Sequence, residues 1–358
     1  MDVRITTSDN KIYQVNRAEE WYIENDVMTD ASEFNVVLSN HDGAYSGLIR
    51  RFDRIEIIIN EEVIISGLID QVAYDSSQGG SKMRLSGRDD IGILIDNDAL
   101  PITTSSFNTN KYITDKCDEY GIRSSIPTSL PSTPRLIVGT GESEISVINN
   151  LALFHEKSVI FDNDTLIVDD LDMNADPTYL FSYATGIGIK DAIPLKRTEI
   201  VEDGLQLASE IIIHGSINGG KTKAQGTATN PALTSINIKK RKTIRSSNND
   251  SVSKYSASAL DQVQRKFREG IKITSYIFDT EYAIKPNRTA RLIDLTHKIN
   301  SVFYISSVRY QKSINEGSII IINMIPADVS FNVMWSSNNT SVVQPETKSL
   351  EELLATRK

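Results

Sequence analysis

The residues Gly215-Ser216-Ile217-Asn218-Gly219-Gly220-Lys221-Thr222 satisfy the spacing G-x-x-x-x-G-K-[ST], directly after a strong strand pattern from Ser209 to His214. In a phosphate-binding loop the backbone N–H groups would cradle the anion, Lys221 would reach the terminal phosphates and Thr222 would hold Mg²⁺. That chemistry needs a helix that begins at Lys221, with its N-terminus facing the phosphates. The residues that follow include Gly226, Thr227, Thr229 and Asn230-Pro231, which make a poor helix. An acidic Mg²⁺ partner at the end of a later strand, inside a parallel α/β pattern, is also missing. We therefore expect a long β loop at Gly215 to Thr222. An NTP-binding protein using this loop stays the enzymatic alternative.

The other reactive residue types are sparse. His41, His155, His214 and His297 are scattered, and none has metal-ligand spacing to another. His41-Asp42-Gly43 reads as a turn, and His155 closes an apolar helical stripe as a packed or capping residue. Cys117 is the one cysteine, which excludes an intramolecular disulfide. It lies at helical spacing from Ile113 among Asp115, Asp118 and Glu119, so it reads as a small buried apolar group; a thiolate nucleophile wants positive surroundings. No cofactor and no metal is expected. The dense basic run Lys239-Lys240-Arg241-Lys242, with Arg245, lacks interleaved aromatics. It reads as an exposed edge strand or a subunit contact with acidic surface, before nucleic acid.

The formal charge of −9, from 38 basic and 47 acidic residues, argues against a free-standing DNA binder, whose affinity comes from neutralising phosphates. It is compatible with a conduit that DNA slides through. No apolar run approaches the roughly 18 residues of a membrane span, so no membrane insertion is expected. The N-terminus lacks a basic region followed by an apolar one, so no secretory signal is expected.

These residues hang on a mainly β chain. Val3 to Thr6, Ile12 to Val15, Glu20 to Ile23 and Phe34 to Leu38 are short strands between turn signals. Ile55 to Ile59, the Asn60-Glu61 turn and Val63 to Ile69 form a hairpin in which Gly67 marks a bulge or a tight bend. After Gln78-Gly79-Gly80-Ser81, Lys82 to Ser86 alternates, with Met83 and Leu85 on one face. Helical spacing then takes over near Ile91 and from about Asn110 to Tyr120. It returns from Ser143 to Lys157, with Ile145, Ile148, Leu151 and Ala152 on one stripe. A hairpin follows, Ser158 to Phe161 with Leu166 to Val168. Strands are expected again at Ser209 to His214, Ser235 to Ile244, Ile271 to Phe278, Arg291 to Leu295, Ser301 to Tyr310 and Gly317 to Ile325. A helix from about Ser256 to Gly270 interrupts them. Ser349 to Glu352 is a capping box that would start a short terminal helix.

The order strand, turn, strand-Gly-x-Ile-Asp, loop, strand-Gly-Arg-Asp, carried by Gly67, Ile69, Asp70, Gly87, Arg88 and Asp89, resembles the first tube-like domain of phage baseplate hub proteins. This is the late-control-protein-D family, also found in the hub half of type VI secretion spikes. The faint echo of Ile65-Ser66-Gly67-Leu68 in Ile305-Ser306-Ser307-Val308 fits the second such module that the family has. The resemblance implies an α+β, mainly β fold: two tube-like antiparallel β-barrel modules (residues 1–97 and 177–326) around a small α/β domain (98–176), and a tail (327–358). It implies a non-enzymatic structural hub of a contractile tail or tail-like particle, made in the bacterial cytoplasm and located in the virion baseplate. The implied partners are two further copies in a homotrimer, the tail tube protein, the spike protein and other baseplate proteins. DNA would pass only as transient cargo. A tail-tip receptor- or carbohydrate-binding module is the remaining alternative, although Trp21 and Trp335 are the only tryptophans.

Overall fold

The computed structural model describes residues 1–327 apart from 16–17, 28–30, 78–79, 128, 156, 163, 184–188, 206, 215–224, 246–251, 279–280 and 314–316. The chain is mainly β with a few helices. Seven strands open it: β1 (Asp2–Thr6), β2 (Ile12–Val15), β3 (Ala18–Asp26), β4 (Glu33–Ser39), β5 (Arg54–Ile59), β6 (Glu62–Ser77) and β7 (Gly80–Asp89). They lie side by side as β2-β1-β5-β6-β7-β4-β3, every neighbour antiparallel. Alternation puts Ile55, Ile57 and Ile59 of β5 and Met83 and Leu85 of β7 in the core. The β5–β6 turn takes left-handed backbone at both Asn60 (φ 49°) and Glu61 (φ 68°), the geometry of a two-residue hairpin that follows sheet twist.

A block of helices and short strands follows. It comprises α1 (Gly92–Asp96), β8 (Ile102–Phe107), α2 (Thr109–Glu119), β9 (Arg123–Ser125), β10 (Thr133–Val138), α3 (Glu144–Phe154), β11 (Ser158–Asp162) and β12 (Thr165–Asp169). The hairpin β11–β12 is extended by β9, while β8 and β10 form a separate ribbon that the sequence reading missed. Two apolar clusters hold the block. One joins Ile113, Cys117, Ile145, Ile148 and Leu166, and the other Leu136, Val147 and Leu151.

The chain then returns to the large sheet through β13 (Tyr179–Tyr183), β14 (Ile193–Pro194) and β15 (Arg197–Glu202). An insertion comes next: β16 (Glu210–His214), β17 (Gln225–Thr229), α4 (Pro231–Ser235), β18 (Arg241–Arg245) and α5 (Val252–Glu269). Its sheet runs β17-β16-β18, and Tyr255, Ala259 and Val263 of α5 pack on Ile211 and Ile213. The single strand expected over Ser235 to Ile244 is the end of α4, a connection and β18, because Pro231 opens a helical turn there. The chain closes with β19 (Ile271–Ile277), β20 (Arg288–Asp294), β21 (Ile299–Ser313) and β22 (Gly317–Pro326).

Around β21 these last strands lie as β14-β13-β20-β21-β22-β19-β15. Strand for strand and in chain order, β13, β14, β15, β19, β20, β21 and β22 repeat the positions of β1 to β7. One element breaks the repeat, since β13 runs parallel to β20 where β1 runs antiparallel to β5. Both long central strands carry one unpaired residue at the same place, Asp70 in β6 and Ser306 in β21. This corrects two expectations. The equivalence is Ile69-Asp70-Gln71-Val72 with Ile305-Ser306-Ser307-Val308, four residues on from the echo read in the sequence. Against β7 the bulge of β6 is at Asp70 and not at Gly67, which is paired on both sides.

Closed barrels were expected, and none is found among the described residues: the two modules are halves of one open fourteen-stranded sheet. The two halves join at the bulge at Ser306. Along one edge β21 pairs with β20 as far as Ile305, then with β3 from Ser307 to Lys312. An extra residue re-aims a strand and lets it exchange neighbours. One apolar core consequently runs through both modules, from Ile5, Ile57 and Leu85 to Phe181, Phe303 and Ile322.

Candidate functional site

The residues singled out in the first module converge where β6 crosses β7. Gly67 is opposite Asp89 and Ile69 is opposite Gly87. A Cβ on Gly67 would stand 2.0 Å from the Arg88 carbonyl oxygen, and one on Gly87 2.0 Å from that of Leu68 and 2.7 Å from Phe34 Cζ. Any side chain there collides with backbone, so both glycines are needed for close approach and not for an unusual φ.

Arg88 leaves this crossing toward the helical block. Its Nε donates to Asp70 Oδ2 (2.9 Å), and its two terminal nitrogens donate to Asp96 (3.0 and 2.6 Å). These acceptors hold the guanidinium charged. Asp89 turns inward and is 5% exposed. Its N–H donates to the Ser32 carbonyl (3.0 Å), and its Oδ2 accepts from the Ser32 N–H (2.9 Å). Oδ1 has no partner among the described residues. Burial pushes the carboxyl up to about 7, against the opposing pull of the Ser32 N–H. It borders a cleft of about 270 Å³ shared by the first module, the helical block (Arg123, Asp162) and the second module (Lys285). Two motif residues therefore anchor neighbouring segments: Arg88, held by Asp70, reaches Asp96 of α1, and Asp89 reaches the chain leading into β4.

The joint between the modules is equally specific. Ser307 to Lys312 of β21 pair with Asp26 to Trp21 of β3. Tyr310 and Ile23 are opposite each other and fully buried. On the other face Arg309 donates to both carboxylate oxygens of Glu24 (2.9 and 3.0 Å) and lies over the Tyr22 ring. Sequence reading missed this joint, because nothing in Glu20 to Ile23 names its partner nearly three hundred residues away.

The basic run divides. Lys240 Nζ donates to the carbonyls of Gly204 and Leu205, and Arg241 pairs with Glu210. Lys239 and Arg241 are exposed, and Lys242 is half-buried. Arg241 and Lys242 belong to β18, which ends its small sheet, beside exposed Ile236, Ile238 and Ile244.

The remaining candidates have structural surroundings. The Cys117 thiol is buried, and burial with the Asp118 charge pushes it up to about 11, which keeps it protonated. His155 follows the last turn of α3, with Nε2 3.2 Å from the hydroxyls of Thr109 and Thr133. His297 contacts the buried Asp294 (2.8 Å). Among the described residues no three His, Cys, Asp or Glu side chains gather to hold a metal. Gly215 to Thr222 lies outside the described residues, as does the terminal segment with the Ser349 capping box.

Residues 11–89 match the family described as Mu phage baseplate assembly protein GpP-like, N-terminal; the match ends on Asp89, the last residue of the Gly-Arg-Asp sequence. No curated protein matches the chain. Among solved structures it is similar to a tail protein from Neisseria meningitidis MC58 (TM-score 0.74, 19% identity, covering 90% of this chain and 95% of that one). It is similar as well to the 43 kDa tail protein of prophage MuSo2 from Shewanella oneidensis (TM-score 0.73, 14% identity, 92% and 99%). A third is the E. coli c3393 protein, a type VI secretion component with structural similarity to the T4 bacteriophage tail proteins gp27 and gp5 (TM-score 0.56, 8% identity, 90% and 76%). Residues 11–89 are thus similar to the Mu phage GpP-like baseplate assembly proteins, and over nearly its whole length the chain has the fold of the phage tail proteins it resembles.

Proposed function

We propose that this chain is the structural hub of a contractile phage tail or tail-like particle, in which three copies form a ring joining a hexameric tail tube to a trimeric spike. The carrying observation is the repeat of one seven-strand arrangement within a single chain. Three chains with two equivalent modules each offer six similar wall segments to the tube on one side, and three identical chains to the spike on the other. On this reading residues 1–97 and 177–326 become tube-like walls on assembly, residues 98–176 buttress them, and 327–358 form a tail. Gly67, Asp70, Gly87, Arg88 and Asp89 are structural residues of the wall. The outward edge at Lys239 to Lys242 serves a subunit or neighbouring baseplate protein. The similarity in fold to the c3393 protein, a type VI secretion component similar in structure to gp27 and gp5, supports a place in a tail or tail-like assembly.

A bore that passes DNA works best without cations that would trap phosphates. With the net charge of −9, the bore is expected to be neutral to acidic. The test is the mass of the purified protein in solution with electron microscopy of the particles. A trimer with an axial opening supports the hub; a strict monomer, or Lys239 to Lys242 lining the bore, overturns it.

A further inference from the structure

Among the open edges that the duplicated sheet shows in the described residues, two belong to counterparts of the two strands that already pair within the chain. β3 pairs with β4 on one side and with β21 on the other. Its counterpart β15 pairs with β19, and its other edge is open among the described residues. β21 exchanges β20 for β3 just past its bulge. Its counterpart β6 loses β5 at Leu68, so among the described residues the edge from Gln71 to Ser76 has no strand on that side.

We infer that β15 of one copy pairs antiparallel with residues 71–76 of β6 in the next copy, reproducing between chains the joint that β3 and β21 make within one. The inference rests on the ring reading above and supplies its contact. The common neighbours fix the register. Glu199 faces Thr274 as Tyr22 faces Asn35, and Gln71 faces Ser86 as Ser307 faces Asn323. Carried over from the internal joint, Ala73 then faces Val201, Tyr74 faces Ile200 and Val72 faces Glu202.

The side chains fit a covered edge. Tyr74 and Val201 are 49% and 47% exposed in the single chain, although apolar residues on an open strand invite pairing. Tyr74 takes the position of buried Tyr310, and Ile200 that of buried Ile23. Val72 and Ile200 already pack against the shared core, so the joint would continue that core across the boundary. The Arg309–Glu24 ion pair is replaced by Ala73 opposite Val201, an apolar pair suited to a contact that excludes water. Because the two surfaces differ, the contact is head-to-tail, and such contacts close into rings when the rotation allows.

Cysteine pairing tests it, since the native Cys117 is buried. Directly opposed strand residues have Cβ atoms within about 5 Å, close to the spacing a disulfide needs. The double variant Ala73→Cys/Val201→Cys, oxidised after its mass is measured, is expected to give covalent oligomers up to the full ring. Neither single variant should do so, nor should Tyr74→Cys/Val201→Cys, whose side chains are on opposite faces. Oligomers that fail to cross-link in the double variant would overturn this joint and leave the ring standing. A protein monomeric at every concentration would overturn both.

Discussion

The two modules solve one crossing in opposite ways. By register, Gly67 and Gly87 of the first correspond to Phe303 and Met324 of the second, both fully buried. In the first, backbone meets backbone and Phe34 of β4 fills the space over Gly87. In the second, the corresponding β19 residue is the smaller Ile273, and Met324 supplies the bulk from β22 itself. The wiring of the sheet therefore does not dictate where its volume comes from, and each module is locked to its own solution.

Gly67→Ala should consequently have the largest effect. Its Cβ would meet the Arg88 carbonyl and the Asp89 Cα, and neither can rotate away. A loss above about 4 kcal/mol, or failure to fold, is expected in urea unfolding. A melting temperature within a degree of wild type would show that the crossing is looser than drawn. At the corresponding site Phe303→Ala creates a cavity where Gly67→Ala creates a clash, for about 3–4 kcal/mol. If the two variants were equally mild, the contrast between the modules would disappear.

That contrast also explains what could be read in the sequence. The first module was legible because its crossing is written in glycines and charges, and Gly67, Asp70, Gly87, Arg88 and Asp89 form a recognisable order. The second module writes the same crossing in Phe303, Ser306 and Met324, residues that any buried strand could carry. Its repeat emerged from pairing partners, and the sequence echo was misplaced by four residues. The bulge at Asp70 was hidden for a related reason: an extra residue in a strand has no side-chain signature, while a glycine suggests one. β8 and β10 escaped because Ile102-Thr103-Thr104-Ser105-Ser106 has one apolar residue and hence no alternation to mark a strand. The open sheet could not be foreseen at all, since it depends on β3 finding β21 across the chain.

Asp89 offers a smaller test that is confined to the first module, where the second has Pro326 at the corresponding position. The folded carboxyl titrates near 7, against 3.8 ordinarily. Between those values the folded protein holds a proton that the unfolded chain has released, so stability declines as pH rises from about 4 to about 7. Asp89→Asn keeps an oxygen for the Ser32 N–H and cannot ionise. Its advantage in unfolding free energy over wild type should grow from pH 5 to pH 8, reaching about 1–3 kcal/mol in urea unfolding. An advantage independent of pH would show that Asp89 is not charged at a cost in the fold.

The smallest expected effect separates the internal joint from its counterpart between copies. Within the chain Gln311 faces Tyr22, without opposed charge. In the register inferred between copies, Asp75 faces Glu199, two carboxylates in line, although Arg197 bonds to Glu199 (2.9 Å) and Lys82 is opposite Asp75. Like charges directly opposed in a sheet cost roughly 0.2–1 kcal/mol. Removing one should tighten self-association by about 1.5- to 5-fold per contact. Asp75 is exposed in the single chain, so Asp75→Asn should leave the unfolding midpoint of the monomer unchanged while sedimentation shows tighter assembly. The gain should vanish near 1 M salt, where charges are screened within about 3 Å. A gain that survives high salt would have another origin, and no gain at low salt would place Asp75 and Glu199 apart in the ring.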